Sequence, residues 1–257
     1  APFSDLTAQL ECAPDGAGRA LRIIGGHDAP ASWPVLMARL AAVRVVALEQ
    51  AALARPSPAG APILLGDDGT NLPAALDRLQ REEPETFARI VAEFCRILPE
   101  YRSLGCSTSA DGTRRLGAEI VGESRTLGAE ELSQGTLVLI GLLVLTLVQP
   151  LPSILCLEEI DRGIHPRLLR EIRDLLYRMS YPDPGQPAAQ ILTTTHSPYL
   201  LDLFRDELEE VIVAQKRGSE ATFERLSDRE DLRDVIGNAS LGDLWYSGIL
   251  GGIPDES

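Results

Sequence analysis

Four apolar residues, Ile154 to Leu157, run directly into two adjacent carboxylates, Glu158 and Glu159, followed by Asp161, Gly163 and Pro166. A run this short and this apolar reads as a strand buried on both faces, which places it inside a mainly parallel sheet with the carboxylates at the rim. Pro166 opens a helix at its first position, and Leu168, Leu169, Ile172, Leu175, Leu176 and Met179 share one face of it up to the Pro/Gly turn of residues 181–187. Gln190 to Thr195 reads as the next strand, Tyr199 to Phe204 as a short helix, and Glu210 to Gln215 as a third strand of the same sheet. This alternation predicts βαβ units, an α/β fold with helices flanking the sheet. Leu137 to Val148, the most apolar stretch, predicts a helix of about 18 Å, well short of the ~30 Å hydrocarbon core of a bilayer, so it reads as a buried helix rather than a membrane span.

The upstream half reads differently. Leu6 to Glu11 and Ala20 to Ile24 have strand character around the turn residues Pro14-Asp15-Gly16, predicting a short antiparallel hairpin. Trp33 to Ala54 reads as helical at first and extended around Val43 to Leu48. After the polar loop GDDGTNLP, Leu72, Leu76 and Leu79, and then Phe87, Ile90, Val91, Phe94, Ile97 and Leu98, recur at helical spacing, predicting two helices joined near Glu83-Pro84. Tyr101 to Gly128 reads as a second hairpin.

With 24 basic and 38 acidic residues the net charge is −14, a balance that repels phosphate backbones and anionic membranes. Arg114-Arg115 is too small a basic patch to argue for DNA. The four cysteines, Cys12, Cys95, Cys106 and Cys156, form no C-x-x-C pair, which points to a reduced, cytoplasmic setting.

Three segments carry candidate chemistry, each where an α/β sheet places functional groups. Ser133, within Leu132-Ser133-Gln134-Gly135-Thr136, is a natural N-cap for the apolar helix, and Gly135 leaves room for an anion to approach the positive helix end. Adjacent carboxylates at a buried strand's end are costly unless compensated, and a hydrated Mg²⁺ with phosphate oxygens does so. Glu158 would then hold the metal shell while Glu159 polarises an attacking water. His196, in Thr193-Thr194-Thr195-His196-Ser197-Pro198, can hydrogen-bond a terminal phosphate and that water. Singly, these are also an ordinary capped helix, a solvated acidic strand end and a structural histidine. Their order and spacing, 25 residues from 133 to 158 and 37 from 159 to 196, are far more specific.

Together LSQGT, ILCLEEIDRGIHP and TTTHSP resemble the signature, the Walker B plus D-loop and the H-switch of ABC-type ATPases, in the soluble branch that includes RecF-like, SMC-like and OLD-like proteins of the AAA family. GDDGTNLPAALDRL and SLGDLWYSGILGG resemble further segments of the same proteins more loosely. The resemblance implies a P-loop NTPase fold: a remnant of an amino-terminal β-rich lobe over residues 1–60, a helical and β-hairpin insertion over 61–126, and an ABC-type ATPase lobe over 127–257. It makes Glu158 the Mg²⁺-shell carboxylate, Glu159 the catalytic base, His196 the switch histidine and Asp161 a D-loop contact. Ser133, Gln134 and Gly135 would touch the γ-phosphate of ATP held by a second subunit, so that two copies sandwich ATP and Mg²⁺.

Glu158 stands where many relatives have Asp, and Gln134 where transporters usually have Gly. The larger departure is the phosphate loop. A Walker A motif, G-x-x-x-x-G-K-[ST], needs a lysine upstream of these segments, and the only lysine here is Lys216. With Ala1-Pro2 at the start, the expectation is the carboxyl-terminal part of an ATPase, inactive alone, acting in DNA repair, DNA handling or phage defence. An effector protein, or DNA bound through missing regions, would complete it; no membrane is involved. The alternative is a non-catalytic regulatory partner that lends its signature face to another ATPase. A fused Toprim nuclease, as in OLD-like relatives, would need a glutamate where Lys216-Arg217-Gly218 follows the strand.

Overall fold

Strand pairing in this chain is decided by which short apolar segments find each other across long connections. The computed structural model describes residues 7–12, 19–24, 42–217, 220–232, 235 and 239–251. The chain divides into two compact units, residues 1–42 and 43–257. In the first, strand β1 (Thr7–Cys12) pairs antiparallel with β2 (Arg19–Ile24), from Thr7 opposite Ile24 to Cys12 opposite Arg19. This is the expected hairpin; its Pro14-Asp15-Gly16 turn and the expected helix from Trp33 lie outside the described residues.

The second unit is built on a three-stranded parallel sheet in the order β3-β7-β8, namely Val43–Val46, Ile154–Leu157 and Gln190–Thr193. Ile154–Leu157 is central, as its uninterrupted apolar run requires, with Leu155 and Leu157 buried. Between β3 and β7 the chain forms a four-residue helix α1 (Gln50–Leu53), then α2 (Leu72–Glu82) and α3 (Pro84–Ile97), both with proline in the first turn. An antiparallel sheet of β4 (Tyr101–Thr108), β5 (Arg114–Ile120) and β6 (Thr126–Gly128) follows. The expected hairpin over residues 101–128 therefore gains a third strand, paired to β5 at Gly117–Glu119.

Helix α4 (Gln134–Leu147) is buried from Gly135 to Thr146, so it runs through the core instead of lying on it. Its 14 residues span about 21 Å. Among the described residues no helix is long and apolar enough to cross a membrane. Helix α5 (Leu169–Ser180), entered through the turn Pro166–Leu168, buries the predicted stripe Leu168, Leu169, Ile172, Leu175, Leu176 and Met179.

The third parallel strand is a correction. Val43–Val46 takes that place, whereas Ile212–Arg217 (β9) pairs antiparallel with Glu220–Arg225 (β10), from Ile212 opposite Arg225 to Arg217 opposite Glu220. Only residues 218 and 219 separate these two strands, and a parallel partner needs a crossover of a dozen residues or more. Helix α6 (Pro198–Asp202) packs on helix α7 (Leu241–Tyr246), where the Gly242 N–H donates to Asp202 Oδ1 at 2.7 Å. Val213, Leu226, Leu241, Leu244 and Leu250 form a small second core in this part of the chain.

Candidate functional site

The carboxyl ends of β7 and β8 lie side by side, with Leu157 opposite Thr193. The Glu158 N–H donates to the Val46 carbonyl at 3.0 Å and closes the β3–β7 ladder. At Glu159 the backbone turns sharply: its φ of 45° is left-handed, a conformation that costs a non-glycine residue of order 1–3 kcal/mol and persists only where its surroundings enforce it. Here the Glu159 N–H donates to Thr194 Oγ1 at 3.0 Å and the Ile160 N–H to the Thr194 carbonyl at 3.3 Å.

Both carboxylates are exposed and line a shallow pocket with Val46, Leu48, Val138, Leu142 and Arg162. Arg162 Nη1 approaches Glu159 Oε2 to 3.4 Å; with both side chains more than half exposed, such a pair contributes about 0–1 kcal/mol. Among the described residues no cation pairs with Glu158. Asp161 does not point freely outward: Thr195 Oγ1 donates to its Oδ1 at 2.5 Å. His196 is exposed two residues beyond Thr194, on the turn that leads into α6, and is not among the pocket's lining residues.

Ser133 caps α4 as expected, accepting the Thr136 N–H at 3.1 Å and sharing a 2.8 Å hydroxyl contact with Thr136 Oγ1. The space beside Gly135, read from sequence as room for an anion, is filled by the Gly163 carbonyl oxygen, 2.6 Å from where a Cβ would stand. Gly163 itself has φ 74°, and the Gln134 side chain lies 2.6 Å from its own Cβ position. The start of α4 and the loop that follows the carboxylates therefore interlock through two glycines: backbone blocks a side chain at Gly135, while at Gly163 the positive φ and the Gln134 side chain disfavour one.

The structure thus joins Gln134 and Gly135 to the Gly163 loop, and joins Glu159 and Asp161 to the threonines beside His196. The sequence reading named Gly163, Thr194 and Thr195 inside these segments without giving them a role, and passed over Arg162. The repeat Thr193-Thr194-Thr195 was the available signal, since three consecutive hydroxyls at a strand's end can satisfy a neighbouring loop.

Donor chemistry decides which groups this site suits. Among the described residues no cluster of three or more His, Cys, Asp or Glu could hold a metal by itself. Two exposed carboxylates without a full cage match Mg²⁺, which keeps waters and shares phosphate oxygens, better than a fully protein-ligated ion. The metal side of a Mg²⁺–nucleotide site therefore fits Glu158, with Glu159 beside it. The sequence's only lysine, Lys216, lies on β9 and is not among the residues lining this pocket.

Residues 43–202 match the family described as "AAA domain, putative AbiEii toxin, Type IV TA system". No curated protein matches the chain. Among solved structures it is similar to an Smc head crystallised with the C-winged helix domain of ScpA, at 14% identity and a TM-score of 0.50, over 87% of this chain and 69% of that one. The matched segment holds all three strands of the parallel sheet, the carboxylate pair and His196, and it exceeds half of the 257 residues. This chain belongs to that AAA domain family of nucleotide-binding ATPases and has the P-loop NTPase fold of an Smc head.

Proposed function

We propose that this chain is the ATP-hydrolysing lobe of an ABC-type ATPase of the RecF, SMC and OLD-like branch, working in the cytoplasm on DNA or in phage defence. The observation that carries the reading is the acidic end of the central strand, Glu158-Glu159, where the Glu159 N–H is hydrogen-bonded to Thr194, two residues before His196, inside the family domain. ATP would bring the phosphoanhydride and Mg²⁺ the charge that neutralises it; Glu158 would hold the cation's shell. Glu159 accepts the proton of the attacking water, and His196 donates to the terminal phosphate and orients that water. Asp161 belongs to the loop that meets a second subunit. Ser133, Gln134 and Gly135 present the capped start of α4 to the nucleotide held by that subunit, so the working form is a dimer closed around ATP. This reading requires a phosphate loop that the 257 residues do not contain, and effector or DNA contacts would accompany that loop.

Glu159→Gln keeps the shape of the side chain and removes the base. In the complete ATPase its turnover is expected to fall about 10²–10⁴-fold, while ATP-dependent self-association, read by sedimentation, persists or tightens. Unchanged turnover in this variant would sink the assignment.

The second reading, a non-catalytic partner lending its signature face to another ATPase, is favoured by one observation, the absence of G-x-x-x-x-G-K-[ST] from the sequence. An in-frame phosphate loop upstream of Ala1 removes that support, and a start codon at residue 1 leaves this reading in place of the first.

A further inference from the structure

Each hydroxyl of the threonine triplet is committed to the segment that carries the carboxylates. Thr193 Oγ1 donates to the Leu157 carbonyl at 3.1 Å, and Thr194 Oγ1 accepts the Glu159 N–H at 3.0 Å. Thr195 Oγ1 donates to Asp161 Oδ1 at 2.5 Å and accepts the Ser197 N–H at 2.9 Å. The last bond folds the backbone around His196, and Ser197 Oγ in turn accepts the Leu200 N–H at the start of α6. The two halves of the site lie more than thirty residues apart in sequence, and these side-chain bonds extend the β7–β8 ladder past its last paired residues.

We infer that Thr194 and Thr195 are positioning residues that lock Glu159 and His196 into one geometry. Thr194 supplies the acceptor that holds Glu159 at its positive φ, and so aims its carboxylate. Thr195 ties the Asp161 loop to the turn on which His196 sits, so the acidic loop and the histidine move as one body. A hydroxyl is required in both places because valine, of equal shape, offers neither donor nor acceptor. This inference rests on the reading of Glu159 as the water-activating base.

The test separates the clasp from that reading. In the 257-residue chain without nucleotide, Thr194→Val is expected to speed amide hydrogen exchange at Glu159 and Ile160 by about tenfold or more, with Thr194→Ser close to wild type. Thr195→Val is expected to do the same for the Asp161 to Ile164 loop. In the complete ATPase, Thr194→Val is expected to lower kcat about 10–100-fold with KM for ATP within about twofold, because a misplaced base affects the reaction rather than ground-state binding, and serine is expected to restore it. Unchanged exchange in both valine variants overturns the inference. So does wild-type kcat in Thr194→Val where Glu159→Gln is inactive. If wild-type protein with its phosphate loop turns over no ATP, the hydrolysis reading fails, and the exchange data alone decide the clasp.

Discussion

Glycine 135 shows how much one missing methyl group decides. A Cβ there would stand 2.6 Å from the Gly163 carbonyl oxygen and 3.3 Å from Ile164 Cα, both backbone atoms that cannot swing aside. Gly135→Ala must therefore push the start of α4 away from the loop after the carboxylates. The expected cost is about 1–3 kcal/mol in urea denaturation, with Thr136→Ser, which keeps the hydroxyl beside Ser133, as a near-neutral comparison. Sequence alone pointed to Gly135 for another reason, the approach of an anion, because a glycine after an N-cap is compatible with both. The occupant of the space lies 28 residues downstream, at Gly163, and no local pattern names it. The places of Glu158, Glu159 and His196 at strand ends were legible because strand ends and turn chemistry are local; the hydroxyls that hold Glu159 and the turn at His196 were visible as residues but not as bonds.

At the scale of elements, the helices were the most legible parts. Their periodic leucines, together with Pro73, Pro84 and Pro166 at helix starts, mark α2, α3 and the entry to α5, and the buried faces are the predicted ones. What joins those elements was hidden. Arg114, read as half of a small basic patch on a turn, begins β5 and points inward, with Nε 2.8 Å from Asp77 Oδ2 on α2. Burial pushes the Asp77 carboxyl up, but the guanidiniums of Arg114 and Arg81 more than offset this and hold it below the ordinary carboxylate range. Because the folded-state pKa is the lower one, the stabilisation is present above the unfolded-state value of about 4 and is lost as pH falls through the folded value. Asp77→Asn is expected to cost about 1–3 kcal/mol at neutral pH, and the gap to wild type should close on acidification below about pH 4, measured by denaturation across a pH series. A gap that stays constant with pH would remove the charge from the explanation. Glu93 on α3 behaves in the same way: burial raises its pKa, while Arg96 and Arg178 lower it overall, tying α3 to α5. The Cys106 thiol, pushed up to about 12 by burial and the nearby Asp77 carboxylate, stays neutral and donates to the Pro73 carbonyl at 3.2 Å.

Across the second unit as a whole, α3, the antiparallel sheet and the parallel sheet share one core. Phe94 of α3, Leu116 of β5, Leu142 of α4, Leu155 of β7 and Leu175 of α5 belong to a single buried cluster. A cavity opened at α3 should therefore be felt at the parallel sheet. Phe94→Ala is expected to cost about 3–5 kcal/mol and to accelerate globally limited amide exchange in α3 and in Ile154–Leu157 together; loss of protection in α3 alone would show that α3 unfolds independently of the parallel sheet. The amino-acid order by itself determined the periodicities, the caps, the turns and the acidic strand end, because each depends on neighbours within a few residues. It also contained a cue that the parallel-sheet assignment of Glu210 to Gln215 passed over, since Gly218-Ser219 between two extended runs is hairpin chemistry. Only the tertiary structure decided that Val43–Val46 flanks Ile154–Leu157, that Arg114 finds Asp77, and that three threonines grip the loop around Glu159. Those choices are made by packing between segments thirty to more than a hundred residues apart, where partner selection depends on the closure of long loops and the filling of one shared core, neither of which a local window of sequence contains.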